Sequence, residues 1–259
     1  MAVWEHARMA DDATRQLLDR FVGLLRPMPS VVAVWAHGSL AGGDYRPGRS
    51  DLDLIAVVAR RPSPEQEARL VRLHESLAAE LPQASALHCS YVAAGDWDDV
   101  SARHLTWAHQ ELMRRPVTPV TRAELHRFGA VLHGPPPAGL VPPVTGRELA
   151  GFVADDLREY WRPALDHPER WRRDIWVDLG LLTLARAAKT LESGRLITKG
   201  EALEVLVELG APAQVVEDVR QRRYGSPAPA SPQWAERRAE LTRGYLGPAI
   251  DGLLAGRRT

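Results

Sequence analysis

Apolar residues recur at helical spacing over residues 11–26, where Leu17, Leu18, Phe21, Val22, Leu24 and Leu25 fall on one side and Pro27 and Pro29 end the pattern. The period then changes. Residues 31–36 are a short apolar run rich in strand formers, which predicts a buried strand, and residues 51–58 predict a second. Between them lie His37-Gly38-Ser39 and a glycine-rich stretch from Ala41 to Gly48. Ser63-Pro64-Glu65-Gln66 combines an N-cap, a proline at the first helical position and a capping-box partner. A helix is therefore expected to about Leu81, with Leu70, Leu73, Leu77 and Leu81 inward. Residues 85–93 predict a third strand.

The remainder reads as helical. Thr121-x-x-Glu124 and Thr145-x-x-Glu148 open two helices, the second running to about Arg162. Residues 174–193 form a longer helix ended by Gly194, Thr198-x-x-Glu201 opens the next, and residues 233–246 are the last. The proline-rich segment from Gly134 to Pro143 reads as a stiffened linker. The expected class is α+β: a mixed sheet with flanking helices over residues 1–140, then an all-α helical bundle over residues 141–259.

Composition narrows the partners. The formal net charge is zero, which gives no reason to expect nucleic acid or an anionic membrane. No apolar stretch approaches the ~20 residues of a membrane span. Residues 1–6 are polar too early for a signal-peptide core. Cys89 is the only cysteine, which excludes an internal disulfide and fits a reducing cytoplasm, the expected location. The basic residues are arginine except at Lys189 and Lys199.

The pattern that carries chemistry is Gly38-Ser39, eleven residues, then Asp51-Leu52-Asp53. Alternation along a strand points Asp51 and Asp53 the same way, where two carboxylates repel unless a cation lies between them. Magnesium holding polyphosphate oxygens suits that arrangement, and a Gly-Ser turn lets backbone amides approach phosphates. An isolated Asp-x-Asp would read as two solvated aspartates in a turn. The full order of strand, Gly-Ser, glycine-rich loop and strand favours the site.

Gly-Ser followed by Asp-x-Asp resembles the signature of the nucleotidyltransferase superfamily that includes DNA polymerase beta. The likeness extends to the aminoglycoside adenylyltransferases that modify streptomycin and spectinomycin. Residues 182–186 (Leu-Thr-Leu-Ala-Arg) and 193–199 (Ser-Gly-Arg-Leu-Ile-Thr-Lys) are similar to that branch's helical C-terminal domain, and residues 128–135 to its inter-domain segment. The resemblance implies a cytoplasmic enzyme that moves a nucleoside monophosphate, AMP by analogy, from ATP or another nucleoside triphosphate to a hydroxyl of a small molecule. It implies that Asp51 and Asp53 hold magnesium, two ions in this family, and that Gly38, Ser39, Arg186 and Lys199 contact the nucleotide phosphates. It assigns no role to Lys189, which reads as a surface lysine.

The departures are specific. The family's third strand usually carries a third carboxylate, and here His88 stands in its place. A neutral imidazole can take the hydroxyl proton, so His88 is the candidate general base, with a buried core histidine as the alternative. Asp96, Asp98 and Asp99 follow that strand but read as a solvated turn. Trp107 and His109 lie near the family's substrate pocket with different identities, and Arg172 falls where an acidic residue would face a cationic drug. An arginine there would repel an aminoglycoside. Trp161, Trp171 and Trp176 read as packing residues. Two competing functions share this sequence pattern: transfer to protein or RNA, and nucleotide binding with catalysis lost.

Overall fold

The computed structural model describes residues 11–256 apart from Pro29, Asp98, Val100 and Ala228. Pro29 and Asp98, each given a reading above, therefore lie outside the described residues. The chain divides into two compact units, residues 1–144 and 145–259.

The N-terminal unit begins with α1 (Asp12–Leu25), capped by Asp11, whose carboxylate accepts from the Thr14 amide at 2.8 Å. Strand β1 (Val31–Ala36) leads into α2 (Gly38–Ala41), a single helical turn, and then β2 (Leu52–Val58). Helix α3 (Pro64–Glu80) carries both hydrogen bonds of the capping box at Ser63 and Gln66. It connects β2 to β3 (Leu87–Ala93), which pair in parallel, as a helical crossover allows. The six-stranded sheet has the order β5-β4-β3-β2-β1-β6, and every other pairing is antiparallel.

Three strands depart from the sequence expectation of an all-helical remainder. Strands β4 (Arg103–Ala108) and β5 (Glu111–Pro116) form a hairpin beside β3, and β6 (Ala130–His133) pairs with the far side of β1. Their patterns are weak for physical reasons. Strand β5 is an edge with solvent on much of its surface, so it needs no buried apolar face, and β6 has only four residues. Helix α4 (Pro119–Phe128) also starts a turn earlier than Thr121, because Thr118 caps it and Pro119 takes the first helical position.

Alternation sorts the sheet into two faces. Leu52, Leu54, Ala56, Leu87, Cys89 and Tyr91 pack against Leu17, Leu18 and Phe21 of α1 and Leu70 and Leu77 of α3. On the other face Trp35, Ile55, Val57 and Val92 meet Leu125 of α4 and Val141. This second face carries Asp53, His88 and Ser90.

The C-terminal unit is helical. It comprises α5 (Gly146–Asp156), a π-helical turn (Leu157–Trp161), α6 (Arg162–Ala164), α7 (Asp174–Ser193), α8 (Lys199–Glu208), α9 (Ala213–Tyr224) and α10 (Pro232–Ala255). Helix α9 has no counterpart in the sequence expectation, and α10 runs past the end expected near residue 246. It continues through Pro248 because Leu246 and Ile250 are both buried, and that burial outweighs the lost backbone bond. Trp171 is fully buried within a cluster that includes Trp161 and Trp176, as packing tryptophans. No helix among the described residues is long and apolar enough to cross a membrane.

Candidate active site

The end of β1 is tied to the start of β2 by the His37 amide, which donates to the Asp53 carbonyl at 2.9 Å. The chain then enters α2 at Gly38 with φ +61, a conformation that glycine adopts without steric cost. A Cβ on Gly38 would lie 2.6 Å from Oδ2 of Asp53. The turn bearing Gly38 and Ser39 thus lies directly against the Asp53 carboxylate, closer than any other residue type permits.

Asp51 immediately precedes β2 and Asp53 lies within it; their side chains are 55% and 35% exposed. The parallel register sets His88 opposite Asp53. Its Nδ1 lies 3.6 Å from Oδ1 of Asp53 and its Nε2 3.8 Å from Oδ1 of Asp51. These are electrostatic contacts, too long for hydrogen bonds. The imidazole is turned toward both carboxylates on the second face of the sheet.

The hairpin joining β4 to β5 brings a second histidine. His109 and Gln110 have φ of 54° and 63°, the left-handed pair of a tight hairpin turn that Asn-Gly usually occupies. In return the His109 ring lies edge-on to His88, with centroids 4.7 Å apart. Trp107 belongs elsewhere, and its reading as a pocket residue needs correction. It pairs across the strands with Cys89, on the first face, and stacks on His74 of α3 at 4.7 Å with the rings nearly parallel. At 4% exposure it is part of the core.

Sequence reasoning missed a buried pair at the same place. Nδ1 of His37 lies 3.1 Å from Oε2 of Glu124, and both side chains are nearly buried. Burial is the largest influence on His37 and pushes its pKa down. The hydrogen bond to Glu124 and the charges of Asp53 and Glu124 together outweigh it and hold His37 above the usual histidine range. The signal available in the sequence was the adjacency of His37 to Gly38; Glu124 was read as part of a helix cap and is instead inside α4.

A polar cavity of about 110 Å³ opens on this face, lined among others by Asp53, His88, Ser90, Thr106, Arg115 and Thr121. The Ser90 and Thr106 hydroxyls are 2.9 Å apart. As a donor set for a metal, Asp51 and Asp53 offer hard carboxylate oxygens, with no side chain at Gly38 to crowd Asp53. Among the described residues no group of three or more His, Cys, Asp or Glu is arranged to hold an ion alone. Magnesium commonly takes one or two carboxylates and completes its shell with phosphate and water, so the two aspartates suit it.

Asp96 and Asp99 fall outside this cluster. Asp96 accepts from Arg61 at 2.6 Å and Asp99 from Ser101, so neither replaces a third carboxylate. In the C-terminal unit Arg186 donates through Nε to the Ile197 carbonyl at 3.0 Å, and Lys199 is the first residue of α8 after its Thr198–Glu201 capping box. Lys189 pairs with Glu192 at 3.0 Å, a surface ion pair. The bare repulsive charge expected of Arg172 is corrected: its guanidinium pairs with both carboxylate oxygens of Glu236, at 2.5 and 3.1 Å.

Residues 16–86 match the family model for the nucleotidyltransferase domain, a span that holds Gly38, Ser39, Asp51 and Asp53 and stops two residues before His88. No curated protein is detectably similar to the chain in sequence. Among solved structures, spectinomycin adenyltransferase AAD(9) from Enterococcus faecialis, determined with ATP and spectinomycin, shares the fold at a TM-score of 0.67 and 15% identity. The match covers 92% of this chain and 99% of that one. A c-di-GMP synthase CdnE from Capnocytophaga granulosa is more distant, at a TM-score of 0.33 and 10% identity over 95% of this chain and 81% of that one.

Proposed function

From the premise that this chain is an enzyme of the nucleotidyltransferase type, we propose that it transfers a nucleoside monophosphate, AMP in the first instance, from a nucleoside triphosphate to a hydroxyl of a small molecule, releasing pyrophosphate. The observation that carries the reading is the convergence of Asp51, Asp53 and His88 beside the Gly38-Ser39 turn. The ATP and small acceptor in the AAD(9) structure support the choice of both substrates.

Asp51 and Asp53 would hold magnesium, which when bound neutralises charge on the phosphates. The chain's own residues do the rest. Gly38 and Ser39 receive the phosphates that leave as pyrophosphate. His37 is bonded to Glu124 beside that turn. Burial lowers its pKa, but that bond and the charges of Asp53 and Glu124 outweigh burial and raise it, which favours positive charge there. His88 accepts the proton of the attacking hydroxyl. The hydroxyl oxygen forms a bond to the α-phosphorus as the bond from that phosphorus to the bridging oxygen breaks, and its electron pair departs with pyrophosphate. His109, edge-on to His88, limits the orientations of the base.

The test is pyrophosphate release with magnesium and ATP across a panel of hydroxylated acceptors. Asp51→Asn and Asp53→Asn should abolish release with the fold intact. His88→Ala should lower turnover roughly 10²–10⁴-fold, the range for loss of a general base, with ATP still bound. Full activity in Asp51→Asn would sink the proposal, and tight ATP binding without release in the unmodified protein would select a nucleotide-binding protein instead.

A further inference from the structure

We propose that the hydroxyl acceptor carries an anionic group, a phosphate or carboxylate, and that Arg115 reads it. The inference rests on the transfer reading above and adds the acceptor's chemical class.

In-line displacement fixes which side of the cluster the acceptor occupies. Pyrophosphate departs toward the Gly38-Ser39 turn, which follows β1, and the attacking hydroxyl must come from the opposite side of the α-phosphorus. In the sheet order β1-β2-β3-β4-β5, the side opposite β1 is the one running from His88 on β3 toward β5. That is where the cavity extends.

The register shows what the acceptor meets there. Ser90 lies opposite Thr106, and His104 opposite Arg115, so their side chains alternate onto the face that carries His88. Neighbouring strands lie about 4.8 Å apart, which puts β5 roughly 10 Å from β3. An arginine side chain covers much of that distance. A compact acceptor can therefore place its hydroxyl at His88, further polar groups on Ser90 and Thr106, and its anion at Arg115, only a few bonds from the hydroxyl.

The charges on this face select the sign. Arg115 lines the cavity, and its guanidinium has no hydrogen-bond or ion-pair partner among the described residues. The adjacent Arg114 points to the other face and pairs with Glu67 of α3 at 2.6 Å. The carboxylates nearest the reacting groups have other roles: Asp51 and Asp53 are the proposed magnesium ligands, and Glu124 is bonded to His37. A planar guanidinium with free donors is suited to a phosphate or carboxylate, and it disfavours an aminoglycoside. Charge on an edge strand also guards against pairing with other chains, and a purely protective Arg115 would have no effect on acceptors.

Matched probes separate these outcomes. Glycerol 3-phosphate and glycerol differ by the anion alone, and spectinomycin supplies the cationic case. Binding of each to the protein with magnesium and a non-hydrolysable ATP analogue is measured by calorimetry, and pyrophosphate release is measured with ATP. Glycerol 3-phosphate should bind better than glycerol by about 10- to 100-fold, the worth of a charge-assisted contact, and spectinomycin should bind least. Arg115→Glu should erase that preference with ATP affinity retained, and Arg115→Lys should keep part of it. Equal binding of glycerol and its phosphate, no binding of the phosphate, or an unchanged preference in Arg115→Glu would each overturn the inference. Failure of the transfer reading looks different: the anion preference persists, but no pyrophosphate release depends on Asp51.

Discussion

Gly38→Ala isolates the contact on which the site depends. The substitution adds one methyl group at φ +61, and holding a non-glycine residue in that left-handed region costs about 1–2 kcal/mol. The methyl would also lie 2.6 Å from Oδ2 of Asp53, far inside van der Waals contact. The Asp53 backbone cannot retreat, because its carbonyl accepts from the His37 amide at 2.9 Å and its strand is paired on both sides. The carboxylate must therefore rotate, which breaks its approach to His88. Displacements near 1 Å in a reacting constellation cost about 100-fold in rate, and that is the loss expected. Gly43→Ala is the control. Gly43 has φ +79 and nothing within 4 Å of an added Cβ, so it incurs the backbone strain without touching the site. Urea unfolding should show similar losses of stability in the two variants, of about 1–2 kcal/mol. Pyrophosphate release should fall about 100-fold only in Gly38→Ala. Equal activity in the two variants would refute the argument that the turn is fitted to Asp53.

Two further predictions concern stability. His74 is buried, bonded to the Tyr91 hydroxyl at 2.7 Å, and held neutral by burial, its pKa pushed from 6.5 down to about 3. Unfolded chains take up that proton first, so its contribution is complete above pH 6.5 and is lost as pH falls toward 3, at about 1.4 kcal/mol per pH unit. His74→Gln, measured by urea unfolding at pH 7 and 5, should lose about 2 kcal/mol less over that interval than the unmodified protein; an equal loss would assign the acid sensitivity to another group. In the C-terminal unit the Arg238 side chain is fully buried and donates to Asp218 at 2.9 Å and Asp174 at 2.5 Å. Arg238→Met should destabilise by about 3–5 kcal/mol, toward the lower end because Arg222 still pairs with Asp218. A loss below about 1 kcal/mol, read from the same urea curves, would show that the buried network adds little to stability.

Much of this protein is local in origin and therefore legible in its residues. The helices with strong caps, α3 at Ser63 and α8 at Thr198, and α7 over residues 174–193, follow from neighbours three and four positions apart. Strand β1 follows from a continuous apolar run, and β2 and β3 from strand formers whose alternation sets Asp53, His88 and Ser90 on one face. The pairing of Gly38-Ser39 with Asp51 and Asp53 is likewise short-range, since one loop separates them. What the residues alone could not decide was which distant segments share the second face. Strand β5 lies at an edge where exposure removes the apolar pattern, so nothing in the residues alone set Arg115 apart before the hairpin register placed it at the cavity. Glu124 read as a cap until α4 began at Pro119 and carried its carboxylate to His37. Trp107 and His109 differ by two positions and were read alike. Strand alternation sent Trp107 into the core against His74, while the hairpin turn brought His109 to His88. Face and partner are set by register between segments far apart in sequence, and register exists only once the sheet has formed.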